Sequence, residues 1–296
     1  MPCAGLPPPP SRGRVGVGEP GAMPGFLSQV RSRSARVLCV LAAAGLCLSG
    51  PAATARSLQA INDRGSITMC AHPNALPFAS KRGGDMPGFQ VELGEAIAAQ
   101  LGVSLARQWV ITPIQFRRAD CDIVMDAIAD REAQSETGLR LSKPYYRSGV
   151  VLAVREGGDS GGGARIASFR DLEGQGRVGV QVGSVASMVL NQRGVDTSPF
   201  LFEDDMMEAL LHREIVAAVV SPATAGYFNL THADRAARLI AAADADPGLS
   251  WNVAVGMIKP DARLREAVDE ALDKLMADGT IVRIYARYGV VLQPPG

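Results

Sequence analysis

A short apolar run that breaks abruptly into a loop constrains this chain more than any other feature. Residues 67–71 have the length and composition of a buried strand, and the loop that follows carries His72, Asn74 and Phe78 among prolines. In an open α/β sheet, ligands bind beyond the carboxyl ends of the strands. The stretch 65–89 therefore predicts one wall of a binding cleft.

The segments that follow alternate between helices and strands. Residues 89–101 place apolar side chains on one face of a helix, and strands are predicted at 103–110 and, after a short basic connection, at 122–125. This order is typical of a parallel sheet with crossover connections. The first lobe is therefore predicted to be α/β.

A glycine-rich spacer at residues 156–164 indicates a change of lobe, because such a composition does not hold regular structure. We expect the first lobe to comprise residues 56–155 plus 250–296, and the second lobe to comprise residues 165–249. The chain would then cross between the lobes twice.

The second lobe contains a strand, residues 178–182, that leads through Gly183 and Ser184 into a helix. Such a turn presents free backbone N–H groups to an anionic ligand group, although most strand-to-helix turns look alike. The tail, residues 260–288, is predicted to be helical with an apolar stripe. Because no strand of the second lobe remains for it to cover, we expect the tail to pack on the first lobe.

Residues 1–55 are predicted to be a leader that is removed. Three arginines precede an apolar run of twelve residues, 37–48, and Ala53-Thr54-Ala55 fits a signal-peptidase site, with translation starting at Met23. A transmembrane anchor would need roughly twenty apolar residues. We therefore expect a soluble exported protein without a membrane span, located in the periplasm if the cell is Gram-negative.

Charge and motif content exclude several functions. Residues 1–55 hold five arginines and one acid, so the rest of the chain has 25 basic and 29 acidic residues, a formal charge of −4. A mildly acidic protein lacks the basic surface that binds nucleic acid. No nucleophile motif, metal-ligand spacing or phosphate-binding loop stands out, so we predict no enzyme activity, no metal and no cofactor.

Two cysteines remain beyond the leader. Cys70 ends the first predicted strand and Cys121 precedes another. In an oxidising compartment, two cysteines on neighbouring strands suggest a disulfide, which would close a loop of about fifty residues and contribute at most roughly 4 kcal/mol. The alternative is two buried free thiols.

Six motifs between residues 65 and 289 follow one another in a recognisable order. They are GSITMCAHPNALPF, MPGFQVELGEAIAAQLG, CDIVM, LSKPYY, DLEGQGRVGVQVGS and DGTIVRIYARYG. This order resembles the family 3 extracellular solute-binding proteins of ABC transporters. The resemblance implies a two-lobe periplasmic-binding-protein type II fold, in which each lobe is a mainly parallel sheet flanked by helices, with a ligand closing the lobes.

Further motifs narrow the resemblance to one branch of the family. CAHPNALPF, CDIVMD, KPYYRSGVV, VVSPATAGYF and IYARYGVVL, with the paired cysteines, are similar to the MxaJ/XoxJ-type proteins, which are encoded with quinoprotein (PQQ) methanol and alcohol dehydrogenases. For that branch the implied role is periplasmic support of the dehydrogenase, through binding it or delivering something to it.

The chain departs from the amino-acid-binding members of the family at two positions. Gln134 stands where those members carry an arginine for the ligand carboxylate, and Arg131 lies close by but out of register. Ser221 and Pro222 stand where they carry an aspartate for the amino group. Because a buried zwitterion needs partners for both charges, these departures argue against amino-acid binding.

The predicted ligand-binding residues are Asn74, Phe78, Asp126, Arg131, Gly183 and Ser184. An aromatic wall with one polar group is typical of a ligand site, which favours Asn74 and Phe78. Asp126 follows a strand, where its carboxylate would bind a cation or a donor, act in a dehydratase, or cap the next turn. Arg131 would pair with an anionic ligand or lie on the surface.

Other residues near the predicted cleft have open roles. His72 is either a ligand contact or a solvent-facing loop residue. We expect one of Tyr145 and Tyr146 in the core and the other near the hinge, and we expect Pro222 and Trp251 to pack at the hinge.

Two functions follow from these patterns. The first is a monomeric periplasmic accessory protein whose partner is a quinoprotein alcohol or methanol dehydrogenase. The alternative is the substrate-binding component of an ABC transporter, which would bind an amino acid or another small polar solute and deliver it to the permease.

Overall fold

The computed structural model describes residues 56–130, 138–155, 166–242 and 247–296. These residues form two lobes, each with its own β-sheet and hydrophobic core. The predicted leader and the glycine-rich spacer lie outside the described residues. Within these ranges, no helix is both long enough and apolar enough to cross a membrane.

The sheet of the first lobe combines parallel and antiparallel pairing. Its strands are β1 (Ser66–Ala71), β4 (Ser104–Trp109), β5 (Ile123–Ile128), β6 (Leu139–Leu141), β7 (Tyr146–Gly149) and β13 (Ser250–Ile258). β1 is parallel to β4 and β5, whereas β13 is antiparallel to β5, β6 and β7. A separate hairpin, β2 (Asn74–Ala75) and β3 (Ala79–Ser80), forms the loop after β1.

The sheet of the second lobe is also mixed. Its strands are β8 (Val151–Arg155), β9 (Val178–Gln181), β10 (Thr197–Phe200), β11 (Ala217–Val220) and β12 (Ala237–Ala241), in the order β10, β9, β11, β8, β12. β9 is parallel to both neighbours, whereas β8 is antiparallel to β11 and β12. The mainly parallel sheets that we predicted are thus mixed. The antiparallel pairs arise where the chain enters a lobe at a crossing, at β8 and at β13.

The helices pack on the sheets. They are α1 (Leu58–Arg64), α2 (Phe89–Gln100), α3 (Pro113–Arg118), α4 (Val185–Gln192), α5 (Glu203–Leu211), α6 (Pro222–Thr231), α7 (Ala262–Ala277) and α8 (Thr280–Ala286). Asp261 caps α7 by accepting a hydrogen bond from Leu264 N at 2.7 Å. The apolar stripe of α7 is buried in the first-lobe core, which confirms where the tail packs.

Two parts of the strand prediction differ from the structure. Residues 151–155, which we predicted to end the first lobe, form β8 in the second sheet, so the first crossing lies at Val150. Strand β10 was not among the predicted strands, and it contains Pro199, which a central strand would not tolerate. β10 is the edge strand of its sheet, where proline is acceptable.

The two crossings lie side by side. Val150 N donates to Leu249 O at 3.0 Å, and Gly149 pairs with Ser250. A Cβ on Gly149 would lie 2.4 Å from the Leu249 oxygen, so only glycine permits this approach. The hinge between the lobes is therefore a closely paired two-segment connection.

Strand β1, which leads into the cleft loop, is linked to the segment before β5 by a disulfide and by a buried carboxylate. A disulfide joins Cys70 on β1 to Cys121, with the Cα atoms 5.5 Å apart, as predicted. The buried Asp122 carboxylate accepts hydrogen bonds from Thr68 N at 2.7 Å and from Arg64 at 2.5 Å. Both links hold the end of β1, and with it the loop that begins at His72.

Helix α6 of the second lobe also packs against the first lobe. Ala223 lies within the first-lobe core, and the rings of Tyr227 and Tyr288 are 6.3 Å apart. A Cβ on Gly226 would lie 2.2 Å from the backbone oxygen of Gly289. The lobes therefore touch backbone to backbone at this point, in addition to the hinge.

We expect Gly226→Ala to lower the free energy of unfolding by about 1–3 kcal/mol, because its methyl group would push Gly289 away. The change would be destabilising even though alanine favours a helix over glycine by about 1 kcal/mol. Denaturant unfolding measures it. Gly94→Ala is the control, because its added Cβ meets only side-chain atoms of Leu105 and Met69, both at 3.0 Å. Equal or greater stability for Gly226→Ala would refute the close contact.

Candidate functional site

A cavity of about 380 Å³ lies between the lobes. The first lobe contributes the loop after β1 and the segment after β4, with His72, Asn74, Phe78 and Ile111. The second lobe contributes the ends of β9 and β10 and the starts of α5 and α6, with Gln181, Phe202, Glu203, Asp204 and Thr224. Pockets of roughly 300–1,000 Å³ at the boundary of two lobes are typical small-molecule sites.

The loop after β1 contributes three side chains to the first-lobe wall of the cavity. Both Asn74 and Phe78 line the cavity, and so does His72. The His72 ring lies 6.4 Å from the ring of Phe202 on the opposite lobe. The Phe78 ring packs on Phe89 at 5.1 Å, which ties this wall to the first-lobe core. The wall is therefore held in place from behind while it faces the second lobe.

Glu203 is a cavity residue that our sequence analysis missed. Its carboxylate accepts hydrogen bonds from Ser221 N at 2.9 Å, from Ser221 Oγ at 2.7 Å and from the Thr224 hydroxyl. The three donors belong to the first turn of α6. A carboxylate thus lies beside Ser221, and it belongs to Glu203 on the preceding helix, α5. The only sequence signal was the acidic start of α5, which equally indicates an ordinary helix N-terminus.

At the Gly183–Ser184 turn, where we predicted that an anionic ligand group binds, the Ser184 side chain caps helix α4. Ser184 Oγ accepts a hydrogen bond from Ser187 N at 3.1 Å and so caps α4. Neither residue lines the cavity, whereas Gln181, just before them, does. Their role in ligand binding stays a prediction.

Asp126 makes its contacts with tyrosines and a glutamine of its own lobe. Its Oδ1 accepts from the Tyr145 hydroxyl at 2.5 Å and from the Tyr285 hydroxyl at 3.2 Å, and its Oδ2 accepts from Gln90 Nε2 at 2.7 Å. It is absent from the lining of the 380 Å³ cavity. The carboxylate therefore holds together β5, α2, α8 and the segment before β7.

A β-bulge directs Asp126 toward this cluster. Met125 and Asp126 on β5 lie opposite Val255 alone, and Asp126 has a positive φ of 53°. A positive φ is uncommon outside glycine, although aspartate tolerates it better than most residues. The predicted cap of a following turn is replaced by this bulge.

The remaining predicted residues fall into three groups. Tyr145 and Tyr146 are both buried, although Tyr146 begins the strand that leads to the hinge. Pro222 is the first residue of α6, and Trp251 packs on the first-lobe core. Arg131 and Gln134 lie outside the described residues.

A second cavity of about 310 Å³ adjoins the first and shares Asn74, Leu76, Asp204 and Thr224 with it. Arg82 of the first lobe and Glu208 of the second line it from opposite sides. The cleft is therefore longer than the cavity that Glu203 lines.

Burial raises the pKa of the Asp126 carboxyl, although hydrogen bonds from Tyr145 and Gln90 oppose the shift. Because the folded pKa lies above the unfolded value of about 4, the unfolded chain loses this proton first. The contribution of protonated Asp126 to the free energy of unfolding is therefore fully present below about pH 4. It is lost as pH rises through the folded pKa.

We therefore expect Asp126→Asn, which cannot ionise, to gain stability relative to the wild type as pH rises from about 4. Urea unfolding at several pH values measures the difference. Asp85→Asn, an exposed position, controls for the loss of one carboxylate. A difference for Asp126→Asn that stays constant between about pH 4 and pH 8 would contradict the raised pKa.

Comparison with known proteins places the chain in a family. The model of the "Bacterial extracellular solute-binding proteins, family 3" matches residues 67–291. The "Probable amino-acid-binding protein YxeM" of Bacillus subtilis (strain 168) is 26% identical over 224 residues, or 72% of this chain and 80% of that protein. The "Arginine-binding extracellular protein ArtP" of the same organism is 27% identical over 227 residues, or 72% of this chain and 81% of that protein.

The fold also matches solved structures. The "Ancestral Cationic Amino Acid Solute Binding Protein (AncCDT-1)" has a TM-score of 0.65 and 21% identity, and the match covers 78% of this chain and 99% of that one. At this identity the likeness concerns the fold, which is the two-lobe periplasmic-binding-protein type II fold. The family match extends from β1 to beyond α8 and includes both walls of the cavity. The chain belongs to family 3 of the bacterial extracellular solute-binding proteins.

Proposed function

We propose that this protein binds an amino acid between its lobes and serves as the solute-binding component of an ABC transporter. The observation that carries the proposal is the cavity of about 380 Å³ whose walls come from both lobes. A ligand that touches both walls stabilises the closed arrangement, and hinged closure is how two-lobe binding proteins hold a solute. The permease would then be the protein partner.

The cavity offers the mixture of groups that a small polar solute needs. Phe78 and Phe202 provide aromatic surface, while Asn74 and Gln181 provide amide donors and acceptors. Glu203 provides a carboxylate next to Ser221, so the missing aspartate at that position no longer argues against binding an amino group. The named relatives, an amino-acid-binding and an arginine-binding protein, support the same class of ligand.

A thermal-shift screen of the twenty amino acids tests the proposal. A ligand at a hundred times its dissociation constant adds about 2.7 kcal/mol of stability, which corresponds to a rise of roughly 5–10 °C in the unfolding temperature. Asn74→Ala should reduce this rise without changing the ligand-free unfolding temperature, because the Asn74 side chain is exposed at the cavity.

Asn62→Ala is the matched control, because Asn62 is also exposed but lies on α1, away from the cavity. It should leave the ligand-induced rise unchanged. If no amino acid raises the unfolding temperature, or if both variants reduce the rise equally, the cavity is not an amino-acid site.

A second candidate is the accessory role beside a quinoprotein dehydrogenase. The sequence resemblance to the MxaJ/XoxJ-type branch supports it, and so do two exposed apolar side chains of the second lobe. Val182 and Met188 are each 56% exposed and belong to the segment that opens α4. Exposed apolar groups of this kind are common at protein interfaces.

Affinity capture from periplasmic extract distinguishes the two candidates. Capture of a PQQ dehydrogenase by the wild type but not by Met188→Asp would support the accessory role. Capture of a transporter membrane complex alone would favour transport.

A further inference from the structure

We propose that a cavity behind the hinge controls the balance between open and closed lobes, so that a group that fills this cavity favours closure of the cleft. This cavity, called the hinge cavity from here on, has a volume of about 640 Å³ and is larger than either cleft cavity. The inference goes beyond the proposed function, because it does not depend on which ligand the cleft binds.

The hinge separates this cavity from the cleft. Gly149, Val150 and Ser250, which belong to the two crossings, line the hinge cavity and neither cleft cavity. At the start of α6, Ala223 lines the hinge cavity, whereas the next residue, Thr224, lines both cleft cavities. Among the described residues, none lines both the hinge cavity and the cleft. We therefore place the two on opposite sides of the crossings.

The walls of the hinge cavity belong to different lobes. Val151 and Ala241 are paired across β8 and β12, and they form part of the second-lobe wall. The first-lobe wall includes most of the C-terminal segment, residues 290–296. A change in the angle between the lobes must therefore change the width of this cavity.

Hydrogen bonds attach the C-terminal segment to the first lobe. Arg147 N, on β7, donates to Gln293 O at 2.9 Å. The Asn252 side chain, on β13, donates to Gly296 O and accepts from Gly296 N, both at 3.0 Å. Val290, at the start of the segment, is buried in the first-lobe core. The segment is therefore expected to move with the first lobe when the lobes rotate.

Rotation about the hinge links the hinge cavity to the cleft. Each lobe has its own packed core, and packed lobes move about a hinge nearly as rigid bodies. Walls on opposite sides of the rotation axis then move in opposite directions, so the hinge cavity narrows when the cleft opens. A group inside the hinge cavity leaves less room for the open arrangement and raises the closed population.

A simple gap in the packing makes a different prediction. If the width of the hinge cavity does not depend on the angle between the lobes, a side chain added to it would change neither that angle nor the affinity of the cleft. The volume that is filled, rather than any polar contact, is therefore the quantity to vary.

Small-angle X-ray scattering of the ligand-free protein tests the inference. Ala241→Trp adds an indole to the cavity from an exposed position at the end of β12, and we expect a smaller radius of gyration than in the wild type. Val291→Trp adds the same group from the opposite wall, where Val291 is 80% exposed, and should act in the same direction. Ala233→Trp, at an exposed alanine of the second lobe that lines none of these three cavities, is the matched control and should leave the radius unchanged.

Ligand affinity gives a second measurement, with the amino acid that raises the unfolding temperature most. Because the apparent dissociation constant falls as the binding-competent fraction rises, a larger closed fraction tightens binding. Calorimetry should show roughly 5- to 50-fold tighter binding by Ala241→Trp, within the range typical of coupling between two sites. In a chain that ends at Leu292, which lacks much of the first-lobe wall, the same substitution should no longer change the affinity.

The outcomes separate this inference from the proposed function. An unchanged or larger radius of gyration in both Ala241→Trp and Val291→Trp overturns the inference, and so does an equal decrease in Ala233→Trp. An effect of Ala241→Trp that persists in the chain ending at Leu292 also overturns it, because the indole would then not act against the C-terminal segment. Failure of every amino acid to bind overturns the proposed function alone, since scattering of the ligand-free protein still decides this inference.

Discussion

The contact between α6 and the first lobe is the constraint on which the rest of the cleft depends. Gly226 and Gly289 bring the backbones of the two lobes together, and Ala223 enters the first-lobe core. The first turn of the same helix holds the Glu203 carboxylate through Ser221 and Thr224. One helix thus joins the packing between the lobes to the polar wall of the cavity, so any rotation of the second lobe moves that wall.

Most of the fold could be predicted because the apolar patterns in the sequence match the faces of the helices and strands that are buried in the cores. The strand and loop at 66–78, the helix from Phe89 and the amphipathic tail all form where the pattern placed them. The run from Tyr146 to Arg155 could not be divided from sequence, since nothing in its composition marks the crossing at Val150. The close approach of Gly149 to Leu249, which only glycine permits, is visible in the three-dimensional structure alone.

The site was less predictable, because several of its residues are far apart in the sequence and become neighbours only when the chain folds. Asn74 and Phe78 could be found, since they follow a buried strand directly. Glu203 and Ser221 are eighteen residues apart and become neighbours through the packing of α5 beside α6. Asp126 was expected in the cleft, but a bulge in β5 directs it to Tyr145 and Tyr285 instead. From the sequence we placed Asp126 just past a strand that ends at residue 125, whereas β5 continues to Ile128 and Asp126 lies within it. The bulge, which the sequence does not reveal, sets the direction of its side chain.

We propose that a solute held between the lobes closes them about the α6 contact. Small-angle X-ray scattering tests this most directly, with and without the amino acid that gives the largest rise in unfolding temperature. At a ligand concentration about a hundred times the dissociation constant, where nearly all of the protein is bound, we expect a smaller radius of gyration than in the ligand-free protein. An unchanged radius of gyration in a sample that calorimetry shows to be saturated would contradict it.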